Sequence, residues 1–168
     1  MSAAQHRACG KALVAQCAVV TLSDTRNEST DKSGAAVKAG LAAAGHAVLE
    51  YAIIKDEPAD LRALLAKLLD RDDINVIITN GGTGIAARDQ TIPVVESIIE
   101  TPLPGFGELF RMLSYEQVGA AAMLSRAVAG VARGKLIFAL PGSTRAVELA
   151  MQKLICPELG HLINHLQK

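Results

Sequence analysis

The sequence has few aromatic side chains: it contains no tryptophan, and aromatic residues make up 3% of its 168 positions. Half of the residues are hydrophobic, so the core must be built from Val, Ile, Leu and Ala. A single domain of this length buries about 70% of the surface that its unfolded chain exposes. Small aliphatic side chains of this kind are typical of helices packed on a parallel sheet.

The sequence also lacks an excess of charge of one sign and a long hydrophobic run. Lys plus Arg number 17, as do Asp plus Glu, which argues against a nucleic-acid-binding or membrane-surface protein. The hydrophobic run at residues 13–22 is too short to span a membrane and is interrupted by Gln16. The three cysteines, Cys9, Cys17 and Cys156, show no paired spacing, which is typical of a reducing compartment. We therefore expect a cytoplasmic protein that binds neither nucleic acid nor membranes.

Hydrophobic periodicity predicts alternating strands and helices. Strands are indicated at residues 17–22, 47–54, 74–78 and 136–140. Helices are predicted at residues 32–44, 59–69, 86–100, 108–118, 145–155 and 158–166. Residues 120–131 fit either a helix or a strand. The alternation predicts an α/β three-layer sandwich, in which helices cover both faces of a mostly parallel central sheet. Residues 13–168 are expected to form one domain, preceded by a loose tail at residues 1–12.

A glycine-rich turn directly follows the third predicted strand. Its residues are Thr79, Asn80, Gly81, Gly82, Thr83 and Gly84. Glycine lets the backbone approach a ligand closely. The N–H groups of such a turn, together with those at the start of a helix within residues 86–100, would face an anion; Pro93 restricts where that helix starts. The turn lacks the Gly-Lys-Ser/Thr end of a P-loop, and no strand with a terminal acid follows it as in dinucleotide-binding folds. Taken alone, such a turn is about as often a plain connection as a phosphate site.

Other polar residues follow the predicted strands and are expected to meet the glycine turn at one edge of the sheet. The carboxyl ends of the strands form the ligand crevice of an open parallel sheet. Asp89 is a candidate Mg²⁺ ligand, with stabilisation of a helix dipole as the alternative. Asp56 is a second candidate metal ligand or general base, with a solvated loop acid as the alternative. The remaining candidates lie in two strand-end loops, where turn and cap roles compete with ligand binding: Ser23, Asp24, Pro141, Gly142 and Ser143.

These segments together resemble the molybdopterin adenylyltransferase type of the molybdenum cofactor biosynthesis family. The resemblance extends from about residue 18 to residue 166, and residues 108–116 and 125–130 look most like the B-type branch. The matching positions are residues 78–84, Asp89, residues 104–108, Ser125, Arg126 and residues 141–143. One difference is Asn80, where family members usually have Thr. Because Asn keeps a hydrogen-bonding side chain and tolerates turn geometry, we expect altered contacts there and an intact loop.

The resemblance implies a protein that binds molybdopterin and assembles as a homotrimer or a homohexamer. Active members transfer AMP from Mg-ATP to the terminal phosphate of molybdopterin and release pyrophosphate, which implies ATP as co-substrate and Mg²⁺ as the metal. In active members, acids at the positions of Asp56 and Asp89 are retained, and we expect these two to be the catalytic and metal-binding residues. Substrate contacts are expected from Ser23, Asp24, Asn80, Gly81, Gly82, Thr83, Gly84, Ser114, Arg126, Pro141, Gly142 and Ser143.

Two further functions are compatible with the sequence. One is a molybdopterin carrier that does not catalyse transfer, which the B-type character of residues 106–130 favours. The other is a nucleotide-dependent reductase, which the missing strand and acid after the glycine turn disfavour. His161 and His165 are spaced as a metal pair, but no third ligand lies near them in sequence, so a role at a helix C-terminus fits them better. Residues 106–112 and 120–123 are candidate subunit contacts.

Overall fold

A six-stranded sheet organises the fold in a computed structural model that describes residues 13–167. The predicted tail at residues 1–12 lies outside the described residues. The strands are β1 (Gln16–Leu22), β2 (Ala47–Ile54), β3 (Val76–Asn80), β4 (Thr101–Pro102), β5 (Val128–Ala132) and β6 (Lys135–Leu140). Their order across the sheet is β2-β1-β3-β6-β5-β4. The first four in this order are parallel, whereas β5 and β4 form an antiparallel edge.

Helices pack on both faces of the sheet. They are α1 (Lys32–Ala43), α2 (Pro58–Leu69), α3 (Thr91–Glu96), α4 (Pro104–Val118), α5 (Thr144–Ala150) and α6 (Cys156–Leu166). A 3₁₀ turn, Gly119–Leu124, follows α4, and a π turn, Met151–Ile155, joins α5 to α6. Within residues 13–167, none of the helices is long and apolar enough to cross a membrane.

Two hydrophobic cores lie on opposite faces of the central strands. Val19 and Ile78 pack against α1, α4, α5 and α6, whereas the alternate positions Val20 and Ile77 pack against α2 and α3. Because both faces are covered, the central strands are apolar at consecutive positions and not only at alternate ones. The predicted three-layer α/β sandwich with a mostly parallel sheet is confirmed.

Three predictions about local structure need correction. The helix expected at residues 86–100 is reduced to α3, because Pro93 lacks an N–H and is tolerated only in a first helical turn. The helix expected at residues 108–118 begins earlier, at Pro104, because a proline is well suited to the first position of a helix. Residues 120–131 contain both a 3₁₀ turn and the start of β5. Arg133 and Gly134, both with positive φ, then close a two-residue hairpin to β6.

Candidate functional site

The glycine turn after β3 lies where three parallel strands end. Gly81 and Gly82 have positive φ angles of 102° and 60°, which side chains other than glycine rarely adopt. A Cβ at Gly81 would collide with the Leu22 carbonyl at the end of β1, and the Gly81 N–H donates to the Leu140 carbonyl at the end of β6 (3.0 Å). The amide of Gly81 is therefore already paired within the protein. The N–H groups of residues 82–84 are the remaining candidate donors of the turn.

Asp56 and Asp89 both lie against this turn. A Cβ at Gly82 would collide with the Asp56 carboxylate, and a Cβ at Gly84 would collide with that of Asp89. The Asp89 carboxylate also accepts the N–H of Ala86 (3.0 Å), which fixes it beneath the loop. Burial raises the pKa of Asp56, and the neighbouring charge of Asp89 raises it further. The two carboxylates predicted from the sequence are thus brought together, next to the glycines.

Asp24 and Arg88 form the outer side of this acidic group. The Asp24 carboxylate accepts the N–H of Asp56 (3.2 Å) and pairs with the Arg88 guanidinium. These two interactions, the backbone one first, hold the pKa of Asp24 below its ordinary value. Asp24 therefore carries a charge beside Asp56. Arg88, which sequence reasoning missed, contributes a cation at the same place.

Ser23 has a local structural role. Its hydroxyl accepts the N–H groups of Thr25 and Arg26 (3.3 and 3.2 Å), so it shapes the turn that carries Asp24.

Asn80 supports the glycine turn from behind. Its side chain is fully buried and accepts from the Ser33 hydroxyl (2.7 Å) while donating to Thr21 Oγ1 (2.9 Å) and, at 3.4 Å, to the Val20 carbonyl. The contacts of Asn80 are therefore internal, linking β3 to β1 and α1. In this structure the Asn80 side chain contacts only other parts of the protein. The sequence predicts a substrate contact for it.

Arg26 and Asp31 extend this buried network to the loop after β6. Arg26 donates to Ser33 Oγ (2.6 Å) and to the Gly142 carbonyl (3.0 Å), and lies 3.4 Å from the Asp31 carboxylate. Burial acts to raise the pKa of Asp31, but hydrogen bonds, among them one from Tyr51 (2.7 Å), outweigh it and keep that pKa below its ordinary value. Sequence reasoning missed both residues as parts of the site. The sequence signal for Asp31 is its position as an N-cap just before α1.

The loop after β6 forms the second wall of the site. A Cβ at Gly142 would lie 3.1 Å from the Gly81 Cα, so the two loops are in contact. Arg126 donates to the Gly84 carbonyl (2.8 Å) and thereby bridges the glycine turn to the segment before β5. Pro141 and Ser143 flank Gly142, and the Ser143 hydroxyl caps α5 by accepting the N–H of Ala146 (3.3 Å).

Two cavities are lined by residues named above. The first, of about 390 Å³, lies at the acids and is lined by Asp56, Glu57, Pro58, Ala87, Arg88 and Gln90. The second, of about 310 Å³, is lined by residues that include Ser114, Ser125, Ser143 and Arg145. The Ser114 hydroxyl in this cavity donates to the Phe110 carbonyl of its own helix (2.7 Å). Both volumes lie near the lower end of the range usual for small-molecule sites.

Thr91, at the start of α3, is a further residue that sequence reasoning missed. It is 1% exposed, and its hydroxyl is the single buried side-chain N or O atom without a hydrogen-bond partner in the part of the chain that the structure describes. A Cβ at Gly82 would collide with this hydroxyl as well as with Asp56. The sequence offers no signal for it beyond its position two residues after Asp89.

The acids fit a Mg²⁺ site completed by substrate. Among residues 13–167, no group of three or more His, Cys, Asp or Glu side chains is arranged to hold a metal ion. Mg²⁺ usually binds one or two carboxylates together with waters and substrate phosphates. Asp56 and Asp89 provide two such carboxylates, and the glycine turn beside them is the candidate phosphate site. His161 contacts Glu158 and His165 (3.0 Å each) on α6, and this set is not arranged as a metal site either.

Comparison with known proteins gives consistent matches over nearly the whole chain. A family model described as "Probable molybdopterin binding domain" matches residues 18–161. The molybdenum cofactor biosynthesis protein B of Halalkalibacterium halodurans is 50% identical over 169 residues, which cover 100% of this chain and 99% of that protein. A crystal structure of a molybdenum cofactor biosynthesis protein B matches with a TM-score of 0.90 and 47% identity, over 92% of this chain and 97% of that one. The tungsten cofactor synthesizing protein MoaB from Pyrococcus furiosus matches with a TM-score of 0.83 and 34% identity, over 92% and 98%.

Proposed function

The chain belongs to the molybdenum cofactor biosynthesis family and takes part in the synthesis of that cofactor, and we propose that it does so as a molybdopterin adenylyltransferase. Residues 13–168 would form a single molybdopterin-binding domain. Its substrates would be Mg-ATP and molybdopterin, and its products adenylylated molybdopterin and pyrophosphate. The absence of paired cysteine spacing in the sequence supports a cytoplasmic location.

The observation that carries this proposal is the pair of carboxylates against a glycine turn, one of which also lines a cavity. Asp56 and Asp89 lie beside Gly82 and Gly84, and burial together with the charge of Asp89 raises the pKa of Asp56. Such a pair favours a cation, and a cation beside open backbone amides favours phosphate. Separate cavities at Asp56 and at Ser143 leave room for two bound molecules, whereas a carrier needs only one.

The proposed reaction joins the two ligands at the turn. A terminal phosphate oxygen of molybdopterin attacks the α-phosphorus of ATP, a P–O bond forms as the bond to the β-phosphate oxygen breaks, and pyrophosphate leaves with that electron pair. The N–H groups of residues 82–84 and the Arg126 guanidinium would orient phosphate oxygens, because fixed donors supply most of the catalysis in such transfers. Asp56 and Asp89 would hold Mg²⁺, which when bound neutralises charge on the phosphates.

Transfer is tested by supplying molybdopterin and Mg-ATP and measuring pyrophosphate release. We expect Asp89→Asn to lower kcat by about 100-fold or more while molybdopterin still binds, because the loss of one carboxylate weakens charge neutralisation during the transfer and leaves the second cavity intact. Asp72→Asn is the matched control, since Asp72 is an exposed acid in the turn between α2 and β3, at the opposite ends of the strands. It is expected to leave kcat unchanged.

The carrier alternative predicts a different result in the same assay. Tight binding of molybdopterin without pyrophosphate release by the unmodified protein, over a series of divalent metals, would reject the transferase and favour a non-catalytic carrier.

A further inference from the structure

The unpaired hydroxyl of Thr91 needs an explanation that the fold does not supply. A buried hydroxyl without a partner is energetically costly, and native proteins keep few of them. Thr91 is almost completely buried, so bulk water does not satisfy it. Its N–H does have a partner, the Gly82 carbonyl (3.1 Å), which fixes the residue against the glycine turn.

The Thr91 hydroxyl is a neighbour of the Asp56 carboxylate. Both oxygens lie against the position that a Cβ on Gly82 would occupy, so they pack on the same side of Gly82. They approach closely there without forming a hydrogen bond to each other. The helix α3 has only six residues, so its N-terminus is not treated as an anion site. The hydroxyl of Thr91 is the group considered for ligand binding.

We propose that the Thr91 hydroxyl is an outer-sphere partner of the divalent cation, hydrogen-bonded to a water molecule on a cation held by Asp56 and Asp89. This inference rests on the proposed metal site and not on the adenylyl transfer itself. Mg²⁺ keeps several of its waters when proteins bind it through one or two carboxylates. A neutral hydroxyl beside such carboxylates can form a hydrogen bond with one of these waters. Loss of an outer-shell partner of this kind commonly lowers metal affinity by about 10–100-fold.

The test is a Mn²⁺ titration followed by electron paramagnetic resonance, with and without a non-cleavable ATP analogue. We expect Thr91→Val, which keeps the shape and removes the hydroxyl, to weaken Mn²⁺ binding by about 10–100-fold. Thr91→Ser restores the hydroxyl and is expected to bind nearly as tightly as the unmodified protein. Thr101→Val, an exposed threonine on β4, is the matched control and should not change the affinity.

Thermal unfolding in EDTA separates this role from a structural one. If the hydroxyl has no partner inside the protein, Thr91→Val leaves the metal-free Tm unchanged or raises it, because a buried unpaired group is removed. The inference is overturned if the valine variant binds Mn²⁺ as tightly as the unmodified protein, if its metal-free Tm falls, or if the unmodified protein binds no Mn²⁺ in either condition. Normal Mn²⁺ binding without pyrophosphate release would reject only the transferase.

Discussion

At the scale of single residues, Asp56 is held in place at an electrostatic cost. Burial and the negative charge of Asp89 both raise its pKa, while Arg88 opposes them and is itself paired with Asp24. A folded protein keeps such a group where function needs it, at the expense of stability. The cost is removed either by a bound cation or by replacing the carboxylate.

This gives a prediction about stability and pH. A carboxyl whose pKa is raised in the folded state destabilises that state as the pH rises above the ordinary value of 3.8 and through the raised one. In EDTA at pH 7, Asp56→Asn is therefore expected to raise Tm. A gain of 1 kcal/mol corresponds to about 2–4 °C for a domain of this size. The gain should shrink as the pH is lowered towards 4, measured by differential scanning calorimetry across that range.

Mg²⁺ provides the complementary measurement. It should raise the Tm of the unmodified protein, since it binds the folded state, and have little effect on Asp56→Asn. Asp72→Asn is again the control. A lower Tm for Asp56→Asn than for the unmodified protein at pH 7 would contradict the assigned electrostatic cost.

Sequence reasoning succeeded and failed at this scale for identifiable reasons. Asp56, Asp89 and the glycine turn could be placed together because parallel topology brings strand ends to one edge. The burial of Asn80 and the missing partner of Thr91 could not be foreseen, because both depend on side chains from other elements. A hydrogen-bonding residue in a turn looks the same in sequence whether it faces a ligand or the core.

At the scale of elements, the glycine turn and the hairpin between β5 and β6 allow a matched comparison. Gly82 and Gly134 both have positive φ, 60° and 71°, so alanine is strained at both, by about 1–2 kcal/mol. A Cβ at Gly134 meets nothing within 4 Å, whereas one at Gly82 collides with Asp56 and Thr91. We expect Gly134→Ala to lower Tm by a few degrees and to retain pyrophosphate release. Gly82→Ala should lower Tm further and abolish release.

Comparing Gly134→Ala with Gly82→Ala separates the effect of backbone strain, which both variants share, from the effect of a collision with Asp56, which only Gly82→Ala has. Equal losses of Tm in the two variants, with activity kept in both, would show that the turn does not position the carboxylates.

The elements that could be predicted are those whose pattern is set locally. β1, β2, β3 and β6 were identified because apolar runs bounded by polar turns are sufficient signals for buried strands. The segment between β3 and α4 was misjudged, since a helix continuing from residue 86 would place Pro93 in its interior. In this loop the Asp89 carboxylate accepts the Ala86 N–H. Hydrophobic periodicity in the sequence cannot predict an interaction of this kind.

At the scale of the whole molecule, an apolar surface remains uncovered by the chain itself. It consists of Leu109, Met112, Tyr115 and Val118 on α4, together with Met123 and Leu124 of the 3₁₀ turn. Met123 is 81% exposed, more than any other large hydrophobic residue in the described part of the chain. Large exposed apolar patches commonly mark sites of protein contact. Leu109, Met112 and Met123 fall within residues 106–112 and 120–123, which the sequence indicates as subunit contacts. The 3₁₀ turn leads directly to Ser125 and Arg126 at the site.

We therefore predict that the protein is a homotrimer or homohexamer in solution and that this apolar surface forms one of its contacts. Multi-angle light scattering should give a mass of three or six times the 17.6 kDa chain. Met112→Lys is expected to shift the mass towards the monomer, because a buried lysine without a partner is costly in an interface. Val14→Lys, an exposed apolar position on another face of the fold, is the control and should leave the mass unchanged. A monomeric unmodified protein at micromolar concentration, or an unchanged mass for Met112→Lys, would reject this surface as the contact.

If the assembly forms and Met112→Lys dissociates it, pyrophosphate release measured on Met112→Lys and Val14→Lys tests whether the subunit contact also holds in place the segment that carries Arg126.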